Sequence, residues 1–289
     1  MRRAIPALVL VAVLLLVGCG STATPAPPAA GPSAEKSLIL ATTTSTQDSG
    51  LLDELLPAFA RDSGWQVKTL AVGSGQAIEL GRRGEADVLL VHSPAAEQAF
   101  VAGECTAGQR RLVMHNDFVL VGPANDPAGI RGLDGTAAVA KIAAAQALFV
   151  SRGDDSGTNA REKDLWKKAG ITPEGGWYQA TGQGMGATLR VASEKAGYTL
   201  SDRATYLAQR DTLALEVLSE GDPGLLNVYH VIEMTTKAGE RVQPDGAQAF
   251  ADWITAPPAQ QQIGQFGQAK FGQPLFTPDA GKDEAALGT

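Results

Sequence analysis

The sequence predicts an α/β fold of two lobes, each a mostly parallel sheet flanked by helices. Short apolar runs such as residues 37–41 and 86–91 alternate with helix-forming segments, a pattern typical of parallel sheets covered on both faces. Several strands lead into helices through Gly or hydroxyl residues, and open α/β sheets bind ligands at that edge. The 33 Gly and 16 Pro residues also favour a loop-rich α/β protein over a helical bundle.

The first 35 residues predict export and lipid anchoring. A basic start (MRR) precedes an apolar run at residues 7–18, and residues 16–19 (LVGC) have the pattern that directs lipoprotein cleavage before Cys19. The run is too short to span a bilayer; a plain secretory signal or a membrane anchor is the alternative. We therefore predict a signal peptide at residues 1–18 and a Pro-rich, extended, lipid-anchored tether at residues 19–35, outside the cytoplasm.

Taken in order, the following segments give the predicted body. Strand 37–41 leads into a helix from Leu51, which Pro57 is predicted to interrupt because a helical proline removes a hydrogen bond. Further strands are predicted at residues 65–72, 86–91, 118–121, 177–178, 198–200, 213–218 and 227–234. Further helices are predicted at residues 77–80, 94–101, 135–148, 159–166, 187–195, 246–254 and 260–266.

Two of these strands, 118–121 and 227–234, are predicted to cross between lobes. Lobe 1 would then comprise residues 36–119 and 227–278, with lobe 2, residues 120–226, inserted in it. Residues 279–289 are predicted to be a tail, because the segment after Phe276 is polar and reads as disordered.

A run of five hydroxyl residues, 42–46, stands where the first strand meets a helix. One hydroxyl is enough to cap a helix. We therefore expect at least two of the hydroxyls at residues 42–45 to contact a ligand as uncharged donors. Ser74 stands at a similar junction, where a helix cap is an equally good interpretation.

A second polar loop, residues 151–158, lies between an apolar strand and a helix. Arg152, Ser156 and Thr158 would converge with backbone N–H groups at the helix N-terminus, a combination suited to an oxyanion. The alternative is that Arg152 pairs with Asp154 or Asp155. We predict that the two loops face each other across a cleft and share one small anion.

Composition excludes several other functions. The formal net charge is −7, and −9 without Arg2 and Arg3, which argues against nucleic acid but not against a small anion bound by local dipoles. With two Cys residues, one of them Cys19, no disulfide framework or Cys metal site is predicted, and Cys105 is read as a passive thiol. We predict no enzyme, no cofactor and no metal, since Ser156 does not lie in a nucleophile elbow. The three His residues are expected to be structural, with His92 lining the cleft as the alternative.

An exported, tethered, two-lobed body with a small-anion cleft is typical of the substrate-binding protein of an importer. Within residues 38–276, seven motifs carry a resemblance to a known family. They are residues 42–52 (TTTSTQDSGLL), 72–77 (VGSGQA), 87–92 (DVLLVH), 116–119 (NDFV), 151–158 (SRGDDSGT), 182–186 (GQGMG) and 198–203 (YTLSDR). In this order they resemble the tungstate-binding proteins of tungstate ABC transporters.

The resemblance implies a type II periplasmic-binding fold, an ABC permease as partner, and tungstate, alternatively molybdate, as ligand. It implies that Thr43, Thr44, Ser45 and Arg152 hold the oxyanion, joined by Ser74, Ser156 and Thr158. Asn159 departs from the family pattern, which often has His there, and this difference could alter selectivity. Two further departures, His115 and residues 235–237, are expected to lie away from the site.

Phosphate is the closest competing ligand, because phosphate-binding proteins of the same class carry a similar Arg-x-Asp-x-Ser-Gly-Thr loop. At neutral pH phosphate keeps a proton and needs an acceptor, whereas tungstate, molybdate and sulfate need donors only and are repelled by a carboxylate. We therefore predict that Asp154 pairs with a protein donor and that Asp48, Asp154 and Asp155 do not touch the anion. An oxyanion sensor or an adhesive surface lipoprotein is the alternative from another class; a monomer is expected.

Overall fold

A computed structural model describes residues 36–287; the predicted signal peptide, Cys19 and the tether lie outside this range. This range contains ten strands and eleven α-helices. The strands, in chain order, are β1 (Lys36–Thr43), β2 (Trp65–Val72), β3 (Val88–Val91), β4 (Arg111–Gly122), β5 (Phe149–Ser151), β6 (Tyr178–Ala180), β7 (Thr199–Asp202), β8 (Glu216–Ser219), β9 (Leu226–Glu233) and β10 (Thr277–Pro278). The α-helices are α1 (Thr44–Asp48), α2 (Leu51–Ser63), α3 (Ser74–Arg82), α4 (Pro94–Val101), α5 (Gly135–Ala145), α6 (Gly157–Lys168), α7 (Met185–Glu194), α8 (Arg203–Gln209), α9 (Pro244–Thr255), α10 (Pro257–Gln265) and α11 (Gln268–Phe271).

The main sheet has the strand order β10-β4-β9-β3-β1-β2, and β7 and β8 also pair with β4. The pairs β1–β2 and β1–β3 are parallel, so these three strands end at the same edge. A second parallel ladder joins β5 to β6, and Phe149 of β5 bridges in parallel to Tyr198 beside β7. The loops at the strand ends therefore form two sets: one from residues that precede β4 in the chain, and one from residues that follow it.

The long strand β4 belongs to both parts of the fold. Its residues Arg111–Asp117 pair antiparallel with β9, whereas Phe118–Val121 pair antiparallel with β7. The sheets are thus mixed rather than mostly parallel, because β4 and β9 run against each other and against several of their neighbours. The predicted lobe boundaries, at residues 119/120 and 226/227, stay a prediction.

Helices cover both faces of these strands. One apolar cluster packs α2 and α9 on the first sheet and continues onto α7 and α8. A second packs α5 and α6 beside Phe118 and Leu120 of β4. A third packs α3 and α4 on the opposite face of β3. The loops at the strand ends are therefore held between well-packed layers.

Two local predictions were wrong. Pro57 lies inside the continuous helix α2, where Leu51, Leu55 and Phe59 are fully buried on one face. Burial of that face outweighs one missing hydrogen bond, since each buried large apolar side chain contributes about 1.5–3 kcal/mol.

Residues 277–287 have defined positions in the fold, contrary to the prediction that the segment after Phe276 is disordered. Strand β10 pairs with Met114 and His115 of β4. The fully buried carboxylate of Asp279 accepts hydrogen bonds from His115 Nδ1 at 2.6 Å and Lys282 Nζ at 2.9 Å. Asp279 thus faces partners in the fold rather than solvent.

Candidate functional site

The hydroxyl loop places two side chains against one imidazole. Thr43 ends β1 and caps α1, since its Oγ1 accepts from the Thr46 N–H at 3.2 Å. The Thr43 and Ser45 hydroxyl oxygens lie 3.0 Å apart, and each lies 3.1 Å from His92 Nε2. All three side chains are buried. Thr43 thus caps the helix and also belongs to a polar cluster at the strand ends.

His92 directly follows β3 and is neutral. Burial, and secondly the positive charge of Arg152, lower the pKa of its imidazole to about 3. One ring nitrogen therefore carries a proton and the other accepts at physiological pH. The backbone N–H of His92 also donates to Ser74 Oγ at 3.4 Å. The structure thus brings His92 to the predicted site residues, in line with the alternative that it lines the cleft rather than with the expected structural role.

Arg152 follows β5 and is buried, with only 1% of its surface exposed. Its Nε and Nη2 donate to Asp154 Oδ2 at 3.2 and 2.6 Å, which confirms that Asp154 has a protein donor. Nη2 also donates to Thr44 Oγ1 at 3.1 Å, and Nη1 donates to Thr158 Oγ1 at 3.4 Å. Because a guanidinium has five N–H groups, Nη1 keeps one for a further acceptor.

The start of α6 lies beside this guanidinium. Ser156 Oγ caps the helix by accepting from the Asn159 N–H at 3.2 Å, and the Ser156 N–H donates to Asp154 Oδ1 at 3.2 Å. The first N–H groups of α6, together with Thr158, form a region of positive potential.

Asn159, the departure expected to bear on selectivity, is bonded inside the same segment. Its Nδ2 donates to Ser151 Oγ at 3.3 Å and to Glu162 Oε2 at 3.4 Å, and its Oδ1 accepts from the Asp155 N–H at 3.3 Å. Burial raises the pKa of the Glu162 carboxyl, which also accepts from Trp166 and Tyr178. Asn159 therefore supports the loop that carries Arg152.

The two sets of loops approach with no room for a side chain between them. A Cβ at Gly157 would lie 2.6 Å from the His92 carbonyl oxygen and 2.8 Å from its Nδ1. A Cβ at Gly73 would lie 3.3 Å from the Ser156 Cα. Small residues at these positions allow the backbones on the two sides to meet.

Direct hydrogen bonds also join the two sides. Thr205 Oγ1, from α8, donates to the Ser45 carbonyl oxygen at 3.1 Å, and the Gly186 N–H, from α7, donates to Asp48 Oδ2 at 3.1 Å. Together with the Arg152–Thr44 hydrogen bond, these contacts hold the two loop sets against each other.

A buried polar floor lies under the hydroxyl loop. Asn227 Nδ2 donates to Asn116 Oδ1 at 2.8 Å and to Tyr229 Oη at 2.9 Å, and the Tyr229 ring lies 4.7 Å from the ring of His92. Within the described residues, four buried side-chain atoms have no hydrogen-bond partner, and all belong to residues at or beside this floor. They are His92 Nδ1, Asn116 Nδ2, Asp202 Oδ2 and Asn227 Oδ1. Unpaired buried polar groups are rare, and an ordered water, an ion or a functional role commonly accounts for them.

Asp202 is the carboxyl of this group. Its Oδ1 accepts from the Thr205 N–H at 2.8 Å and so caps α8. Burial raises the pKa of the carboxyl to about 6; Arg152 opposes this shift and Asp48 adds to it. In the sequence, Asp202 stands in the motif at residues 198–203 with no ligand role predicted for it, and its position at a strand end was the signal that it could lie at the site.

The seven predicted residues thus gather at the two facing loop sets. Those before β4 are Thr43, Thr44, Ser45 and Ser74, and those after it are Arg152, Ser156 and Thr158. Neutral hydroxyls, helix N–H groups and one guanidinium favour a small oxyanion. Fold and site together define a substrate-binding protein of the periplasmic-binding class.

Comparisons with known proteins identify the family. A family model described as a PBP superfamily domain matches residues 22–258. The chain is 48% identical over 280 residues to the tungstate-binding protein TupA of Peptoclostridium acidaminophilum, covering 95% of this chain and 96% of that protein.

Solved structures agree. TupA from Desulfovibrio alaskensis G20 is 45% identical with a TM-score of 0.70, over 85% of this chain and 99% of that one. The structure described as the tungstate ABC transporter from Geobacter sulfurreducens is 44% identical with a TM-score of 0.74, over 81% and 100%. The chain belongs to the PBP superfamily and, within it, to the family of these tungstate-binding proteins.

Family membership confirms three predictions: the periplasmic-binding α/β fold, the resemblance, and a binding protein rather than an enzyme. Within residues 36–287, none of the helices combines the length and apolar character needed to cross a bilayer.

Proposed function

We propose that this chain is the substrate-binding lipoprotein of an ABC importer and captures a tetrahedral oxyanion, principally tungstate, between two lobes. The observation that carries the proposal is the buried Arg152 guanidinium, set among neutral hydroxyl donors where two loop sets meet. A fixed dianion replaces its hydration shell with such donors, and one buried cation offsets part of its charge.

The proposed contacts come from both sides. Thr43, Thr44, Ser45 and Ser74 approach from the loops before β4. Ser156 and Thr158 approach from α6, and Arg152 donates through its remaining Nη1 hydrogen. If His92 Nε2 carries the ring proton, it donates toward the Thr43 and Ser45 oxygens, and one of the two hydroxyl hydrogens can then turn to the anion while the other bonds its neighbour.

Phosphate is disfavoured as ligand by the state of the nearby carboxylates. Asp154 pairs with Arg152, Asp48 accepts from the Gly186 N–H, and Asp155 pairs with Lys163 at 2.7 Å. Each of these three carboxylates already has a protein donor, which satisfies part of its capacity to accept a phosphate proton. The choice of tungstate over molybdate rests on the relatives alone, since the two anions have nearly the same charge and radius.

The proposal includes export, a lipid anchor and hinged lobes. Residues 120–226 would form lobe 2 and residues 36–119 with 227–278 lobe 1, closing on the anion and docking as a monomer on the permease. Anchoring through Cys19 requires that Cys19→Ser abolish incorporation of radiolabelled palmitate; Cys105→Ser is the matched control. Equal labelling of Cys19→Ser would exclude the anchor.

The test of function is a thermal-shift panel on the mature chain with tungstate, molybdate, sulfate, phosphate and chloride. A ligand at a hundredfold excess over its dissociation constant stabilises the folded state by about 2.7 kcal/mol, so the preferred anion gives the largest rise in melting temperature. We expect tungstate and molybdate to stand first. A largest shift with phosphate would overturn the ligand assignment, and no shift with any oxyanion would overturn the function. A sensor, the second candidate, would bind the same anions but have no neighbouring permease and ATPase genes.

A further inference from the structure

Asp202 is a buried carboxyl that the proposed anion contacts do not use. Its side chain is fully buried and one oxygen, Oδ1, caps α8, while Oδ2 has no partner among the described residues. Thr205, in the first turn of the same helix, bonds the backbone carbonyl of Ser45 at 3.1 Å. Asp202 therefore lies one helical turn from the hydroxyl loop that would hold the anion.

Little unpaired positive charge lies around Asp202. Arg152 is the cation that acts on it from the β5–α6 loop, and Arg152 is already bonded to Asp154. On α1, the negative charge of Asp48 also acts on Asp202.

The remaining neighbours add no unpaired positive charge. Tyr229 on β9 stays neutral because burial raises its pKa well above the ordinary value. The adjacent Arg203 is bonded to Asp117 at 2.6 Å and to Glu220 at 2.7 Å.

A dianion entering this region would meet an Arg–Asp pair of nearly zero net charge. If Asp202 were ionised as well, two like charges would share a site of low dielectric, which strongly disfavours that state. Protonation of Asp202 removes the repulsion without any change of fold, because Oδ1 can still accept the cap.

We propose that Asp202 takes up a proton when the cleft binds its dianion, so that oxyanion affinity falls as the pH rises above neutrality. This inference rests on the proposed function. Its sign follows from linkage: a bound dianion favours the neutral carboxyl, so the complex holds a proton that the free protein has lost.

The pH window follows from the free and bound states of the carboxyl. Burial raises the pKa of the Asp202 carboxyl to about 6, and the charge of a bound anion would raise it further. Between these two pKa values, binding takes up one proton and affinity falls roughly tenfold per pH unit. Molybdate and tungstate stay fully deprotonated there, and His92, with its pKa at about 3, does not titrate.

The experiment is calorimetric titration of the mature chain with sodium molybdate and sodium tungstate between about pH 7 and pH 8.5. Buffers of different ionisation enthalpy report the number of protons taken up. We expect about one proton and a roughly tenfold loss of affinity per pH unit for the unchanged chain. Asp202→Asn should show neither, because Asn caps a helix as well as Asp does but does not titrate. Asp134→Asn, which changes the exposed cap of α5, is the control and should behave as the unchanged chain.

The outcomes separate the two proposals. Tight, pH-independent binding without proton uptake, or unchanged pH dependence in Asp202→Asn, would overturn the role of Asp202 and leave the function standing. Binding of no oxyanion would overturn both. If Asp202→Asn fails to fold, carbon-13 NMR of the Asp202 carboxyl decides: a carboxyl that stays protonated at pH 7.5 in the molybdate complex supports the proposal, and an ionised one overturns it.

Discussion

Arg152 combines a structural and a ligand-binding role because it has more donors than its protein partners use. Asp154 takes Nε and one Nη2 hydrogen, and Thr44 takes the other, so the orientation of the guanidinium is fixed before any anion arrives. A lysine offers three donors from a single nitrogen and cannot span these partners at once. The choice of arginine therefore follows from the number and the spread of its contacts.

We predict that Arg152→Ala lowers tungstate affinity by about a hundredfold or more, because a buried charge that loses its partner costs about 2–5 kcal/mol. Arg152→Lys should lie between, since it keeps the charge without the fork. Calorimetric titration measures both, and circular dichroism checks that the variants are folded. Arg131→Ala removes a half-exposed arginine that pairs with Glu216 and serves as control. Unchanged affinity in a folded Arg152→Ala variant would refute the assignment of the site.

The sequence predicts the donors of the site better than its supporting groups. Arg152 and the hydroxyls were recognisable because they stand together in motifs at strand ends. His92 was predicted only as an alternative and Asp202 not at all, since their roles depend on partners far along the chain: His92 lies 49 residues from Thr43. His92 directly follows β3 and Asp202 is the last residue of β7, and a position at a strand end was the only local signal.

At the level of elements, the strand-end loops explain why separate motifs form one site. Strands β1, β2 and β3 are parallel neighbours, so Thr43, Gly73 and His92 leave the same edge of the sheet. The alternation of strands and helices was predictable from hydrophobic periodicity. Antiparallel pairing of β4 and β9 was not, because the pattern of a single strand does not specify its neighbours.

The C-terminal segment shows why a polar sequence was misread as disordered. The carboxylate of Asp279 is buried between His115 and Lys282, and the Asp279 N–H donates to the Val113 carbonyl at 3.0 Å. Each partner lies on β4 or within three residues, and composition alone does not reveal such pairing.

We predict that Asp279→Asn lowers the free energy of unfolding by about 1–3 kcal/mol, because it replaces the buried carboxylate that accepts from His115 and Lys282 with an amide whose nitrogen cannot accept. Urea denaturation followed by circular dichroism measures the loss. Asp283→Asn, at an exposed aspartate that caps a single turn, should stay within about 0.5 kcal/mol. Equal stability of the two variants would show that the segment adds nothing to the fold.

For the whole molecule, the loops on the two sides of β4 are in contact, and closing on a ligand is the proposed event. Which residues meet across the cleft depends on the relative placement of the two parts, and no periodicity in the sequence encodes that placement. The contact at Gly157 is therefore informative: the space for a Cβ at this position is taken by the His92 backbone, from the other loop set.

We predict that Gly157→Ala weakens anion binding by opposing closure rather than by removing a contact. Gly157 begins α6, and alanine favours a helix over glycine, so the unliganded chain should keep or gain stability. The added methyl would lie 2.6 Å from the His92 carbonyl oxygen, which has to move for the loops to close. Overpacking of this kind costs about 1–3 kcal/mol, equivalent to roughly a 5- to 150-fold loss of affinity.

Small-angle scattering distinguishes this explanation from simple damage to the site. Tungstate should reduce the radius of gyration of the unchanged chain and of Gly176→Ala, whose added methyl meets no neighbouring atom. Gly157→Ala should need a higher tungstate concentration for the same reduction. If Gly157→Ala binds as tightly as Gly176→Ala, the approach of these backbones is not part of the bound state. If saturating tungstate does not change the scattering of the unchanged chain, the lobes do not move on binding. Any loss of affinity in Gly157→Ala must then come from a change within the site itself.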